Sequence, residues 1–422
     1  MKLVEAHCAA SQAVAAGVHA VPEASSAFAS TQAAYRFLNN PRVKLPTLAE
    51  PLIEFARDET AHACDRYVLV VHDWSQLMYL KHARKKDRLP LNNKVVPEGY
   101  DLQTALLVSD RDGSPIAPVA LSLRAADGVH CSRSWGVREP LSSLDELDPT
   151  MSYVERLSLS RPTVHIIDAE AGSVAHFRQW STRPGRLFLV RADDRLVEYD
   201  GCERKCSAIQ EELRQANAFR YTRDVAYHGR KAKQYVAEVP VVLTRPGQHN
   251  RPNSNDRQWI PGPPLPLRLL IVEVRTSDGE VLATWLLLTN VPQEMDAATI
   301  ALWYYWRWTI EQFFKLLKSA GVQVEHWQQE TAGAIARRLL VASMACVVVW
   351  RLARSENPLA KPARQLLVRL SGRQLRRGRE HTLPAMLAGM WVLLAMLHVL
   401  DHYSLDEIRA LSEAILPRPL RC

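Results

Sequence analysis

The sequence has few cysteines, and their spacing does not indicate a disulfide framework. The seven lie far apart for the most part, at Cys8, Cys64, Cys131, Cys202, Cys206, Cys346 and Cys422. An odd number without regular spacing argues against a small secreted domain held together by disulfides. Cys202 and Cys206 are close, but no second Cys or His pair stands beside them, so they do not predict a structural zinc site.

Signals for export and for membrane insertion are also missing. The first residues, MKLVEAHCAASQAVAAGVHAV, lack the n-region and the continuous apolar h-region of a signal peptide. Two apolar runs occur, at 339–350 and 383–400. The first is too short to span a bilayer, and the second contains Pro384 and His398. We therefore expect two buried helices in a cytoplasmic protein.

The charge is unbalanced toward the basic side. The sequence has 53 Lys and Arg residues and 45 Asp and Glu residues, which gives a formal net charge of +8 and a pI near 9.1. Such a balance favours an anionic partner such as nucleic acid. The excess is concentrated between Lys361 and Arg379, where seven basic residues occur without an acid. With 422 residues, 47% of them hydrophobic and 23% charged, we expect a globular chain of two or three domains.

Two predicted strands lead into aspartates. The apolar run at 67–71 is followed by His72-Asp73, and the run at 163–167 is followed by Asp168. A third strand, at 186–191, ends in Arg191. Buried strands of an α/β sheet bring their ends together at one edge, and carboxylates there suit a hard divalent cation. An aspartate that only shapes a turn is the alternative for each site.

The segment 303–321, WYYWRWTIEQFFKLLKSAG, predicts the centre of a helix that begins near Asp296, a suitable N-cap, and ends at Gly321. At ~100° per residue, four polar side chains fall within one arc of about 60°. These are Tyr304, Arg307, Glu311 and Lys318. A second arc is apolar and predicts a packed face: Trp306, Ile310, Phe313 and Leu317. An ordinary amphipathic helix with i,i+4 charge pairs is the alternative.

Asp73, Asp168 and Glu311 therefore stand on two strands and a helix, in that order. This order suits an RNase H-like core, in which three carboxylates hold two divalent ions for phosphoryl transfer. Strands predicted at 236–243, 266–276 and 281–289 lie between the second and third acids, with an irregular loop at 245–264. We therefore predict an α/β fold: an RNase H-like mixed-sheet core interrupted by a β-rich insertion, with helical N- and C-terminal regions.

The spacing Tyr304-x2-Arg307-x3-Glu311-x6-Lys318 reproduces the Tyr–Arg–Glu–Lys signature of a known family. Over about residues 10–345 the chain resembles bacterial cut-and-paste DDE transposases of the IS-four family, Tn-five-like. Four further segments look like family landmarks in the right order: AYRFLNNPRV at 34–43, HDWSQLMY at 72–79, IDAEAG at 167–172 and TWLLLT at 284–289.

The resemblance implies roles for individual residues. Asp73, Asp168 and Glu311 would be the catalytic acids and the ligands of two Mg²⁺ ions, for which Mn²⁺ substitutes. Tyr304, Arg307 and Lys318 would contact phosphates of the DNA. For two further residues, the sequence allows a second role besides the one that the resemblance implies. Trp285 would stack on a flipped base or else fill the core, and Arg191 would contact DNA near the active site or form a surface salt bridge. Glu170 would support the metal ligands.

The resemblance also implies partners and an order of domains. The partners would be double-stranded DNA, namely the terminal inverted repeats and target DNA, bound by a homodimer associated with the nucleoid. Residues 1–62 would be a helical DNA-binding remnant, 63–194 and 293–350 the two parts of the core, 195–292 the β-rich insertion, and 351–422 a helical region for dimerisation or DNA contact. The expected activity is cleavage of transposon ends through a hairpin, then strand transfer.

Two alternatives remain open. Only 33 residues precede the AYRF-like segment, whereas the end-binding domain of relatives extends further, which would suit an idle or inhibitory relative. The other alternative is an RNase H-like nuclease that serves repair or host defence.

Overall fold

The computed structural model describes residues 24–79, 82–91, 98–142, 144–169, 172–250, 257–320 and 322–415. Two helices come first, α1 at Ala24–Asn39 and α2 at Leu45–Ala63. Pro46 lies in the first turn of α2, where a helix leaves its backbone N–H groups unbonded and a proline is tolerated.

The strands of the first half form one side of a 13-stranded mixed sheet, from one of its edge strands inward. They are β1 at Val68–Met78, β2 at Leu89–Pro90, β3 at Glu98–Ser109, β4 at Pro115–Ala125, β5 at Gly128–Cys131, β6 at Thr163–Ile167 and β7 at Leu187–Arg191. Residues 68–71 of β1 are all apolar and fully buried, as expected for a strand covered on both faces. Helices α3 at Leu147–Glu155 and α4 at Val174–Ser181 complete this half.

The order and direction of five strands give the RNase H-like core. They lie in the order β4-β3-β1-β6-β7. β1, β3 and β4 form an antiparallel meander, whereas β1, β6 and β7 are parallel to one another. Because parallel neighbours need a crossover, α4 connects β6 to β7. The predicted fold class is confirmed.

Residues 195–292 extend the same sheet rather than leave it. This segment contains β8 at Leu196–Tyr199, β9 at Cys202–Lys205, α5 at Cys206–Gln215, β10 at Arg220–Tyr227, β11 at Arg230–Leu243, β12 at Gly247–Asn250, β13 at Arg257–Ile260, β14 at Leu265–Arg275 and β15 at Val281–Thr289. β15 pairs antiparallel with β7, and β14 and β11 follow it. The loop predicted at 245–264 holds the two-stranded sheet β12–β13, and residues 251–256 of it lie outside the described ranges.

From Ala297 to Ile415 the described chain is helical, as the sequence predicts. It contains α6 at Ala297–Tyr305, α7 at Trp308–Lys315, a π-helical turn at Leu316–Ala320, a 3₁₀ turn at Val324–His326, α8 at Ala332–Arg354, α9 at Ala360–Leu370, α10 at Leu383–Leu400 and α11 at Leu405–Ile415. Among the described helices, α8 alone has the length and composition to cross a membrane, and 78% of its apolar window is buried inside the protein. It packs against β4 and α2.

Candidate active site

Three carboxylates from three separate elements meet at one guanidinium. Nη1 of Arg307 lies 3.0 Å from Oδ2 of Asp73, and Nη2 lies 3.0 Å from Oδ2 of Asp168 and 3.3 Å from Oε1 of Glu311. The Arg307 side chain is only 6% exposed, while that of Glu311 is 40% exposed. The structure therefore brings together the three acids that the sequence singles out, and places Arg307 between them.

The register of the sheet explains why the two aspartates are neighbours. In the parallel pair β1–β6, His72 lies opposite Ile167, the last residue of β6. Asp73 and Asp168 each follow one of these two residues. The prediction that both acids end their strands is right for Asp168 and wrong for Asp73. β1 continues to Met78 because its other neighbour, β3, continues alongside it.

The helix predicted across 296–321 is interrupted in the middle. Asp296 caps α6 as predicted, because its carboxylate accepts a hydrogen bond from the Thr299 N–H at 2.9 Å. The chain then turns at Trp306 and Arg307 before α7 begins. Consequently Tyr304 on α6 and Glu311 on α7 do not lie on one continuous helix, so the predicted polar arc is wrong. Tyr304 is buried rather than exposed to solvent. The predicted end at Gly321 lies outside the described residues.

A close contact with the β3–β4 turn fixes the position of this break. Gly113 has a φ of +73°, and a Cβ added to it would come within 2.4 Å of the Trp306 ring. The hydroxyl of Thr309 also donates a hydrogen bond to the Gly113 carbonyl at 3.0 Å. The indole ring therefore packs directly on the glycine backbone, which anchors the start of α7 against the sheet.

Asp168 has two further partners beside Arg307. The Tyr304 hydroxyl donates a hydrogen bond to its Oδ1 at 3.0 Å, and Nη1 of Arg191 lies 3.5 Å from the same oxygen. Burial raises the pKa of Asp168, but Arg307, the Ala169 N–H and the Tyr304 hydroxyl outweigh it and hold that pKa below its usual range. Burial also raises the pKa of Tyr304, so this phenol stays protonated and donates. Arg191 thus forms a partly exposed ion pair with Asp168, and its contact with DNA stays a prediction.

Asp73 differs from Asp168 in its protonation equilibrium. Burial raises the pKa of Asp73 from 3.8 to about 6, against the opposing effect of Arg307, and the nearby Asp168 and Glu311 charges add to the rise. A carboxyl that titrates near pH 6 in the cation-free chain takes up a proton easily. The two aspartates are therefore bound to the same guanidinium but respond to pH differently.

Lys318 is near the site but makes contacts of its own. Its ammonium donates a hydrogen bond to the Gln76 carbonyl on β1 and lies 3.9 Å from Oε1 of Glu325. Burial lowers the pKa of Lys318, with Glu325 opposing. The lysine thus connects the π-helical turn after α7 to the strand that carries Asp73.

Trp285 lies on β15 under the junction of α6 and α7. Its indole is 5% exposed, and its ring centroid is 5.2 Å from that of Tyr304 and 6.4 Å from that of Tyr227. In this structure the tryptophan therefore belongs to the packed core beside the acids. Glu170, predicted to support the metal ligands, lies outside the described residues.

A buried histidine pair behind the acids was not predicted. Nε2 of His72 and Nδ1 of His165 are 2.9 Å apart, and both rings are fully buried. Burial lowers the pKa of both histidines. Nε2 of His165 lies 3.5 Å from Oε1 of Glu155. In the sequence, His72 directly precedes Asp73 and His165 lies three residues before Asp168. This placement on the same two strands could have predicted the pair.

The donor atoms at this site suit a hard divalent cation. Asp73, Asp168 and Glu311 supply only carboxylate oxygens, the ligands that Mg²⁺ and Mn²⁺ prefer, and the pocket between them already accommodates one cationic group. The described residues contain no group of three or more His, Cys, Asp or Glu side chains arranged to hold a metal ion, and the three acids are grouped around Arg307. The three carboxylates are therefore suitable ligands for such an ion, while their distances from one another are set here by their contacts with Arg307.

A family model described as the transposase DDE domain matches residues 139–348, which are 210 of the 422 residues. This match supports a DDE transposase. The region that matches the DDE domain includes Asp168, Glu311 and the whole of α7, whereas Asp73 precedes it. DDE domains generally use divalent metal ions. A comparison with curated proteins gives no match.

Among solved structures, one similar chain is piggyBac transposase in a synaptic complex with hairpin DNA, determined by cryo-electron microscopy. It is 8% identical, with a TM-score of 0.37, and the alignment covers 85% of this chain and 58% of that chain. This chain therefore spans less than two thirds of the length of that transposase. The RNase H-like core of this chain rests instead on the strand order and directions given above.

Proposed function

We propose that this chain is a DNA transposase of the IS-four type, which cleaves the ends of a mobile element and joins them to target DNA. The observation that carries the proposal is the convergence of Asp73, Asp168 and Glu311 on Arg307 within an RNase H-like core. The match of residues 139–348 to the transposase DDE domain supports it. The net charge of +8 suits a polyanionic substrate.

The three acids are the proposed ligands of two Mg²⁺ ions, with Mn²⁺ as a substitute. Two such ions activate an attacking water or 3′ hydroxyl and stabilise the departing oxygen of an in-line phosphoryl transfer. Asp168 is held for this task by Tyr304, which donates to Oδ1, so the orientation of the carboxylate is set before DNA binds.

Arg307, Lys318 and Arg191 are the proposed phosphate contacts. A guanidinium pairs with phosphate in the same forked geometry as with carboxylate, so Arg307 would exchange carboxylate oxygens for those of the scissile strand. Lys318 supplies a compact charge from the π-helical turn after α7. Trp285 would stack on a flipped base only if Tyr304 or Tyr227 moved away from its ring.

The finer steps are also part of the proposal. The first nick frees a 3′ hydroxyl, which attacks the opposite strand to form a hairpin; the hairpin is then reopened before strand transfer. The protein would act as a homodimer on DNA, in the cytoplasm of a bacterium and at its nucleoid. Residues 1–62 and 351–422 would add contacts to DNA or to the partner subunit.

The test uses the inverted repeats that flank the gene. Labelled duplexes carrying those repeats are incubated with the full chain and Mg²⁺, and nicks, hairpins and joined products are separated on denaturing gels. We expect cleavage at the repeat ends by the wild type and by Glu356→Gln, an exposed control. Glu311→Gln should reduce the rate at least 100-fold, because it removes one carboxylate of the proposed metal site.

The outcome also separates the alternatives. Binding of the repeats without any cleavage, in Mg²⁺ or Mn²⁺, would indicate an idle or inhibitory relative. Cleavage of duplexes regardless of the repeats, without joining, would indicate a nuclease of repair or defence. Full cleavage by Glu311→Gln would remove the basis of the site assignment.

A further inference from the structure

A basic cleft lies beside the catalytic helix and is separate from the carboxylate site. It has a volume of about 570 Å³ and opens between α7 and the segment 371–382 that joins α9 to α10. Gln312 and Lys315 line it from α7, and Arg373, Arg376 and Arg379 line it from the segment. None of the described residues that line this cleft is acidic.

Three cations of the basic cleft have no counter-charge among the described residues. Within the described parts of the chain, Lys315, Arg376 and Arg379 form no ion pair, and all three are exposed. Glu380 is the single acid of the segment, and it pairs with Lys361 at 3.6 Å instead. Bringing cations together in a groove without counter-charges costs free energy through repulsion, and a bound polyanion would offset that cost.

The position of the cleft relative to Glu311 suggests which anion binds. Lys315 follows Glu311 by one helical turn, which is roughly 6 Å along the axis of α7. Successive phosphates of one DNA strand advance by about 3.4 Å per base pair along the duplex. A strand whose scissile phosphate lies at the acids would therefore place a phosphate one or two nucleotides away at the mouth of the cleft.

We propose that the basic cleft binds backbone phosphates of the DNA strand next to the scissile position. The inference rests on the proposed function and adds a second contact surface to it. The lining offers cationic side chains for phosphate groups, so the contribution of the cleft to DNA binding is electrostatic and independent of base sequence. It gives three residues of the basic segment 361–379, namely Arg373, Arg376 and Arg379, a place next to the reacting phosphate.

The test compares two double variants of equal charge. Arg376→Gln with Arg379→Gln removes two cations of the cleft. Arg156→Gln with Arg183→Gln removes two exposed cations that do not line it. Binding to a fluorescent duplex is followed by anisotropy at several salt concentrations without divalent cation, and circular dichroism confirms that both variants fold.

We expect the cleft variant to bind roughly tenfold more weakly at low salt, with the slope of log K against log salt reduced by about two. The control variant should keep the wild-type slope. Equal slopes for the two variants, or no binding of DNA by the wild type, would overturn the proposal. If the cleft variant has a lower affinity for DNA but the same affinity for inorganic phosphate as the control variant, the result supports a site for the DNA backbone.

The cleavage assay keeps the two proposals apart. If the wild type cleaves the repeats while both double variants bind alike, the cleft proposal fails and the transposase proposal stands. If the cleft variant alone loses the salt-dependent binding while no repeat is cleaved by the wild type, the cleft is a DNA-binding surface, but the transposase proposal fails and with it the placement of the cleft next to a scissile phosphate.

Discussion

Nη2 of Arg307 lies 3.0 Å from Oδ2 of Asp168 and joins the turn between α6 and α7 to the end of β6. The same side chain reaches Asp73 on β1 and Glu311 on α7. One buried cation therefore offsets part of the repulsion among three acids and ties two helices to two strands. This makes Arg307 a structural residue as well as a proposed phosphate contact.

Replacing Arg307 by Ala should destabilise the cation-free protein by about 1–3 kcal/mol, because it leaves three partly buried carboxylates without their shared partner. The measurement is urea unfolding at pH 7.5 in chelator, followed by circular dichroism. Arg377→Ala removes an exposed arginine and should change the free energy of unfolding by less than about 0.5 kcal/mol. A loss for Arg307→Ala no larger than that of Arg377→Ala would show that the buried ion pairs contribute nothing.

The strand order of the core could be predicted because local pattern and global topology agree there. The apolar runs before Asp73 and Asp168 are long and β-branched, and a parallel pair with a helical crossover admits few arrangements. The identity of the three acids followed from their elements and from the family signature. The apolar runs at 339–350 and 383–400 also predicted α8 and α10; α8 is largely buried, whereas the second half of α10 exposes apolar side chains.

The break at Trp306 and Arg307 could not be predicted, because its cause lies about 190 residues away in the chain. No glycine or proline marks it; the ring of Trp306 instead packs on Gly113 of the β3–β4 turn. The continuation of β1 beyond Asp73 has a similar origin, since it depends on hydrogen bonds with β3 rather than on an apolar pattern. Tertiary contacts decided both features against local propensity.

The raised pKa of Asp73 predicts a pH dependence of stability. Its folded value of about 6 exceeds the ordinary 3.8, so the folded state binds this proton more tightly. That contribution is complete below about pH 4 and is lost as the pH rises through 6. A shift of this size corresponds to at most about 3 kcal/mol. The wild type should therefore lose stability relative to Asp73→Asn between pH 4 and 7 in chelator.

Urea unfolding of both proteins at pH 4, 5, 6 and 7 gives this difference directly. Asp168 does not obscure it, because its pKa is lowered and its contribution is lost only as the pH falls below the ordinary range. Asp278→Asn changes a residue on an exposed turn, so its free energy of unfolding should vary with pH in the same way as that of the wild type. A difference between wild type and Asp73→Asn that stays constant from pH 4 to 7 would refute the burial argument.

Divalent cations should stabilise the chain in the absence of DNA. A ligand that binds only the folded state at about 100 times its Kd adds roughly 2.7 kcal/mol. The melting temperature of the wild type should therefore rise with Mg²⁺ or Mn²⁺ at pH 7.5. Asp168→Asn and Glu311→Gln should each rise less than half as much, whereas Asp278→Asn should rise fully. Equal shifts in all four proteins would place the bound ion elsewhere.

Trp285 should contribute to stability even without DNA, because its ring is packed between Tyr304 and Tyr227. Trp285→Ala should cost about 3–5 kcal/mol in urea unfolding, and Trp285→Phe less, because a smaller cavity remains. Trp135→Ala removes an indole that is 67% exposed and should cost little. If Trp285 also stacks on a flipped base, binding of the repeat ends must first separate it from Tyr304. Trp285→Phe should then fold well but form fewer hairpins, whereas a purely structural Trp285 would leave the yield of hairpins unchanged in this variant.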